Sequence, residues 1–469
     1  KIVIDTVVGT KIGEASIDAH LQGPLKTVFQ YISAEPIGVA GDIVTDIGKI
    51  EGSADLRLNV SFPTLAELPA EKIKVTAEGT GDKILMPGLV NKLDVSGGPV
   101  KVTGKNQRVD VSGKGRIDGR DMNFTYAQYF EAKGNPFGMQ VVADVMADSD
   151  LRQKFGVDLS DWIEGSVPAK ITYTDFGGGR AEVEASVDAT PATLMVKPMS
   201  YTKPPGKAAK ASARAYLQNN ILTEIKNLSV ETPEGRVEGA QMRFVQSGKE
   251  TLLKSGELPR ARLNESDVAI KFDISPQNII SMSIQGPFFD ARPFLENDKK
   301  GADYHGPGLI ANVKVARMRT AEARLIEKAA ASIDVDTQGE LNRLTLDATA
   351  GAGPLLFRYQ PEGNRMILRI SAQDGGAALL AFGVYENTRG GQLLVEGESA
   401  PGGDKKLISG KAELTNFRVI NAPVLARLVN ALSLPGILSL LGSDGIDFAR
   451  LESQFTWEKR KGVDLIRTK

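Results

Sequence analysis

Two histidines, His20 and His305, are the residues with the widest chemical scope in this 469-residue chain, and it has no others. A metal centre needs several ligand side chains brought together, and a nucleophile triad needs a histidine backed by an acid. These two lie far apart, no acidic cluster surrounds either, and cysteine is absent. Both read as surface or loop residues, so no metal site and no catalytic residue is expected. Gly177-Gly178-Gly179 lacks the lysine ending and the helix of a phosphate loop. Gly351-Ala352-Gly353 runs into Pro354 and a strand-like stretch, without the helix of a dinucleotide fingerprint. No Gly-x-Ser-x-Gly elbow occurs. The many carboxylates read as solvated outer-face residues. The chain reads as a non-enzyme without a cofactor.

The elements that must carry any function are strands. In Ala54-Asp55-Leu56-Arg57-Leu58-Asn59-Val60-Ser61-Phe62 every second residue is apolar. Successive strand side chains point to opposite faces, so this is a half-buried strand. The pattern returns at Ile73/Val75/Ala77, Val183/Ala185/Val187, Val268/Ile270/Phe272/Ile274 and Leu344/Leu346/Ala348. Turn signals punctuate it: Gly97-Gly98, Asp118-Gly119, Pro233-Glu234-Gly235, Pro361-Glu362-Gly363-Asn364 and Pro401-Gly402-Gly403-Asp404. Strand and turn at roughly 10–15 residue spacing predict an antiparallel meander.

Three helices are expected: near 143–155, near 374–386 with Asp374 as N-cap, and over Pro423–Leu441. The last is apolar on nearly all sides and is interrupted by Pro435. Leu425, Leu428, Leu432, Ile437, Leu438 and Leu441 make it a buried cap over the sheet, a plug at a groove, or a membrane-spanning segment. The Pro- and Lys-rich stretch 199–215 reads as an exposed loop. It divides an N-terminal part, 1–198, from a C-terminal part, 216–469. The chain begins at Lys1 and reads as a piece of a longer protein or a processed product.

Composition sets the boundaries of function. Lys and Arg total 57 against 58 Asp and Glu, a net charge of −1. That leaves no field to attract a polyanion, so nucleic acid is not an expected partner. The absence of cysteine fits a periplasmic chain. Glycine is frequent, at 49 residues, and aromatics make up only 6%. A transmembrane barrel would need aromatic girdles. The expected fold is all-β: an elongated, curved antiparallel sheet forming a hydrophobic groove, a β-taco, with a few short helices. About 25 strands at ~4.8 Å would extend on the order of 120 Å. Leu56, Leu58, Val60, Val183, Val268, Ile270, Phe272, Leu344 and Leu346 are the candidate lining. Such a lining can cover acyl chains, each buried methylene being worth ~0.8 kcal/mol.

Ser371–Glu398 resembles the DxGxLLxxxGxYxxxxGGxL segment of AsmA-like proteins of the YhdP type, matching at Asp374, Gly376, Leu379, Leu380, Gly383, Tyr385, Gly390, Gly391 and Leu393. Leu414–Phe448, Gln285–Phe294 and Gly23–Phe62 are similar to further stretches of the same family, which belongs with TamB. The resemblance implies a periplasm-spanning β-structure anchored in the inner membrane through a segment absent from this chain. It implies phospholipids as cargo, contact with inner and outer membranes through the parent protein, and transport between them. The family motif brings no catalytic residue. Two other readings stand beside it. One is a periplasmic scaffold or assembly factor for outer-membrane proteins, taking envelope protein partners by β-augmentation. The other is an enzyme on a β-solenoid, which irregular strand spacing disfavours.

Overall fold

The computed structural model describes residues 2–5, 13–33, 47–65, 72–105, 107–129, 134–248, 250–297, 306–322, 324–400, 407–420, 445–458 and 462–468. The described residues are 72% strand and 8% helix. It divides into two compact units. The first comprises Lys1–Val196, Thr202–Pro233 and Phe244–Thr251, and the second Lys197–Tyr201, Glu234–Arg243 and Leu252–Lys469.

The first unit is built on β1 (Ile2–Asp5), β2 (Glu14–Pro24), β3 (Glu51–Pro63), β4 (Lys74–Val90), β5 (Leu93–Lys105), β6 (Arg108–Ile117), β7 (Arg120–Tyr129) and β8 (Met139–Ala147). After the short β9 (Ile163–Glu164) come β10 (Val167–Gly177), β11 (Arg180–Asp188), β12 (Thr193–Val196), β13 (Tyr201–Lys203), β14 (Lys210–Gln218) and β15 (Ile221–Glu231). Strands β1 to β8, then β10, β11, β14 and β15, pair antiparallel in chain order. Strands β9, β12 and β13 form a separate three-stranded sheet.

After β16 (Gly235–Ser247), the second unit carries β17 (Glu250–Leu263), β18 (Ser266–Ile274), β19 (Ile279–Asp290), β20 (Gly308–Ala321), β21 (Arg324–Val335) and β22 (Leu341–Ala350). It continues through β23 (Gly353–Glu362), β24 (Arg365–Ala372), β25 (Thr388–Glu398), β26 (Leu407–Val419), β27 (Ile446–Glu458) and β28 (Gly462–Thr468). Pairing from β17 to β28 again follows chain order and is antiparallel except between β19 and β20. Among the described residues no pairing joins the first and last strands of either unit, so neither closes into a barrel.

Alternation fixes which face is apolar because facing partners in the ladder share a side. The predicted turns at Asp118-Gly119 and Gly363-Asn364 are present. Asp118 and Gly119 have φ of 48° and 79°, the two positive angles that suit a tight hairpin. Gly97-Gly98 is not a turn. Both glycines lie inside β5 at positive φ, and the register with β6 shifts between Gly97 and Val100, so the pair makes a bulge.

The helices are shorter than the periodicity suggests. α1 (Leu25–Ser33) follows β2. α2 spans only Ser149–Lys154, because Ala143, Val145 and Ala147 continue the alternation of β8. α3 is Arg292–Asn297, and α4 is Gly375–Ala381. Asp374 caps α4 as expected, accepting from Ala377 N at 2.9 Å. The helix ends early because Gly383 takes φ 70° and donates to Leu380 O, while Val384 donates to Leu379 O.

The expected loop 199–215 is mostly ordered strand. Alternation of Ala211, Ala213 and Ala215 with Lys210, Ser212 and Arg214 makes β14, which leaves 204–208 as the exposed turn. Before it, Lys203 is fully buried, and its ammonium donates to the carbonyls of Ala189 (2.9 Å), Thr190 (3.2 Å) and Lys207 (2.9 Å). Residues 202–215 of the stretch belong to the first unit, and 199–201 to the second. The expected helix at 423–441 and all six of its leucine and isoleucine candidates lie outside the described residues, as does His305.

Candidate functional site: the apolar face of the sheet

In the first unit one row of directly facing residues crosses eleven strands. It runs Leu21, Leu56, Gly79, Val102, Val111, Tyr126, Val141, Tyr173, Val183, Ala215, Ile225. The row on the other face of the same strands runs Gln22, Asp55, Thr80, Lys101, Ser112, Thr125, Val142, Thr172, Glu184, Arg214. The two faces thus differ sharply in polarity. Every residue of the apolar row is half-buried, neither sealed nor fully exposed. A floor packed under a second layer of side chains would be buried along its length.

Covering elements gather at one rim of this face. α1 packs Leu25 and Val28 with Ile50 and Ala54. α2 packs Leu151 with Leu93 and Ile117. The three-stranded sheet adds Ala192 and Leu194 against Val167 and Ala169. All three sit where β2 ends and β3 begins, or at the equivalent ends of later strands. At the opposite rim, β10 and β11 meet in a glycine hairpin at Gly177-Gly178-Gly179, where each glycine takes positive φ.

A charged cluster pins α2 in place. Arg120 bonds Asp118 (2.6 Å), Asp148 (2.8 Å) and Asp150 (2.7 Å), and Lys154 bonds Asp118 and Asp150. The Lys154 ammonium and then Arg120 hold the Asp118 and Asp150 carboxyls below the usual range; Arg120 does the same first for Asp148. A depressed folded-state pKa gives stability that is present above the unfolded value of ~4 and lost as pH falls through the folded one. Hydrogen exchange at Leu151, corrected for its intrinsic pH dependence, is expected to keep its protection from pH 7 to about 5 and lose it below about 4. Equal protection at pH 3 and pH 7 would rule out this pinning role.

The second unit carries a corresponding row: Leu258, Ile270, Ile284, Val313, Ala331, Leu346, Phe357, Ile370, Val395, Ala412, Ser453. Its other face is mainly polar, as Lys271, Ser283, Asn312, Ser332, Thr345, Arg358, Arg369 and Glu396 illustrate, with Ile310, Leu356 and Leu394 exposed among them. Here the curvature can be measured. Tyr359 in β23 and Trp457 in β27 are four strands apart, about 19 Å on a flat sheet. Their ring centroids are 5.6 Å apart, edge to face. The sheet therefore curls hard onto its apolar side, and facing Gly397 and Gly410 allow it: a Cβ on Gly410 would meet Glu396 O at 2.2 Å. Tyr359, Leu368, Ile408 and Phe455 fill the curl and are buried.

α4 covers the same face at its own rim. Its Ala378 and Ala381 join Leu355, Ala372 and Ala350 in the main cluster. Gly376 brings the helix onto β25, since an added Cβ would lie 2.7 Å from Thr388 O and 2.9 Å from Arg389 Cα. Gly376→Val is expected to lift α4 and cost about 1–3 kcal/mol, read as a lower Tm with increased binding of a hydrophobic dye. An unchanged Tm would show that α4 does not hold this face closed.

The sequence candidates distribute accordingly. Leu56 and Val183 share one row, and Ile270 and Leu346 another. Leu58 and Val60 lie on the same face of β3, and Phe272 and Leu344 on the same faces as Ile270 and Leu346. Leu56, Leu58, Val60, Val183, Ile270, Phe272 and Leu344 are half-buried, as an accessible lining requires. Val268 and Leu346 are 5% and 6% exposed and belong to the protein's own core. Expected as groove lining, both pack instead in the same buried cluster as Ala378 and Ala381 of α4.

Sequence reasoning gave no sign that the apolar side chains after α2 (Phe155, Val157, Leu159, Trp162) and after α4 (Phe382, Val384, Tyr385) are exposed. Aperiodic loop residues give no alternation to detect. It also missed Tyr126, Gln128, Tyr173 and Asp175 on the first unit's apolar face. His20 lies on the polar face, where its ring contacts Asp55 at 2.8 Å in an exposed cross-strand pair. Among the described residues no cluster of three or more His, Asp or Glu side chains is placed to hold a metal, and no helix is long and apolar enough to cross a membrane. No family model, curated protein or solved structure matches the chain.

Proposed function

We propose that the apolar face binds the acyl chains of phospholipids and shields them during passage between the inner and outer membranes, across the periplasm. The observation that carries this reading is the half-buried row across eleven strands of the first unit. Leaving so many facing aliphatics partly open in water is costly unless another apolar body covers them. A 16-carbon chain loses roughly 12 kcal/mol when exposed to water, so the two surfaces gain from meeting. An acyl chain asks for no specific polar partner, and the row offers small and medium aliphatics on both sides of Tyr126 and Tyr173.

The test is to purify the full chain without detergent and extract it for lipid mass spectrometry. Phospholipid is expected at about one molecule or more per chain. Protein that emerges lipid-free, and takes up none from phospholipid vesicles, would defeat the proposal.

A further inference from the structure

Four polar side chains interrupt the first unit's apolar face at one place. Tyr126 and Gln128 lie two residues apart on β7, and Tyr173 and Asp175 two residues apart on β10. Strand β8 runs between them, presenting Val141 opposite both tyrosines and Met139 opposite both Gln128 and Asp175. Alternation therefore places all four on one face, at the corners of a patch about 10 Å across the strands and about 7 Å along them. Elsewhere the two rows that contain them hold aliphatic residues and glycine: Val111, Val183 and Ala215 in one, Val109, Ala181 and Leu217 in the other.

The chemistry of the corners differs. Tyr126 Oη donates to Gln128 Oε1, which orients the amide and leaves its nitrogen as a donor. Burial pushes the Tyr126 phenol up to about 12 and raises Tyr173 as well, with the Asp175 charge adding to the latter. Both phenols therefore stay protonated at neutral pH. Tyr173 Oη has no hydrogen-bond partner among the described residues. Asp175 accepts from Gly177 N with Oδ1 at 2.8 Å, and Oδ2 remains. The patch thus offers neutral donors at Tyr173 and Gln128, on diagonally opposite corners, and a carboxylate oxygen at the Asp175 corner between them.

We propose that this patch seats the polar part of a phospholipid whose tails lie on the flanking aliphatics, and that it favours an amine-bearing headgroup over an anionic one. The inference rests on the acyl-binding reading above. The phenol of Tyr173 and the Gln128 amide donate to ester or phosphate oxygens, and Asp175 accepts from the ammonium. A headgroup with no cation would meet the Asp175 carboxylate unpaired.

The full chain, stripped of lipid, is incubated with vesicles of equimolar phosphatidylethanolamine and phosphatidylglycerol, re-isolated, and its lipids counted. Wild type is expected to take up phosphatidylethanolamine in excess of the vesicle ratio. Asp175→Asn keeps an acceptor for Gly177 N and is expected to reduce that excess about threefold or more with total lipid unchanged. Tyr126→Phe with Tyr173→Phe preserves both rings and is expected to lower retention of both lipids by a similar factor. Lipid bound at the vesicle ratio by wild type and Asp175→Asn alike would overturn the headgroup seat and leave acyl binding standing. No uptake of either lipid by wild type would overturn both.

Discussion

Val111→Asp, in the middle of the half-open row, is expected to reduce bound acyl lipid by more than about tenfold while the chain stays folded. A carboxylate beneath a hydrocarbon tail must be desolvated at a cost of several kcal/mol, and each 1.4 kcal/mol is a factor of ten in affinity. The fold tolerates the change because Val111 is half-buried and supports no covering layer. Ile270→Asp is the same experiment in the second unit, where Ile270 is also half-buried. Ser112→Asp is the control. It adds the same charge one residue along β6, on the exposed polar face, and should leave lipid content unaltered. Equal loss in Val111→Asp and Ser112→Asp would point to general charge effects and away from a lipid-bearing face.

Leu355→Ala is expected to be the most damaging single truncation in the second unit. Leu355 is fully buried, lies opposite Ala348 and Ala372, and belongs to the cluster that α4 covers. Removing three carbons from such a site leaves a cavity and costs about 2–5 kcal/mol. For a unit of this size that is a fall in Tm of roughly 5–15 °C. Leu56→Ala, in the half-open row, should cost about 1 kcal/mol or less because solvent already reaches its side chain. Calorimetry that finds the two losses equal would refute the distinction between a filled and an open apolar face.

That distinction marks where the sequence stops being legible. Alternation placed Leu58 and Leu346 on apolar faces of strands, and both are there. It could not tell them apart, because period two reports the side of a sheet and says nothing about what stands over it. What covers Leu346 comes from elsewhere in the chain: it packs in the same buried cluster as Phe289 of β19 and Ala378 and Ala381 of α4. The N-cap at Asp374 was readable because capping is local chemistry. The end of its helix was not, since Val384 continues the helical apolar spacing while Gly383 turns the backbone away. β14 was hidden by alanine, whose small apolar side chain alternates with lysine without a strong hydrophobic signal. The four polar side chains of the patch were passed over for a related reason: a tyrosine at an inward position reads as apolar until its neighbours across the ladder are known.

Pairing only between consecutive strands gives the first unit an arithmetic of its own. Each strand from β2 to β8 answers only to the one before and the one after. Excising β6 together with β7 would let β5 meet β8 with chain direction and inward side chains preserved, whereas excising either alone would reverse the polarity of every strand beyond it. Such a sheet grows or shrinks in even steps, so a lineage could tune its reach by gaining or losing hairpins, without redesigning a core.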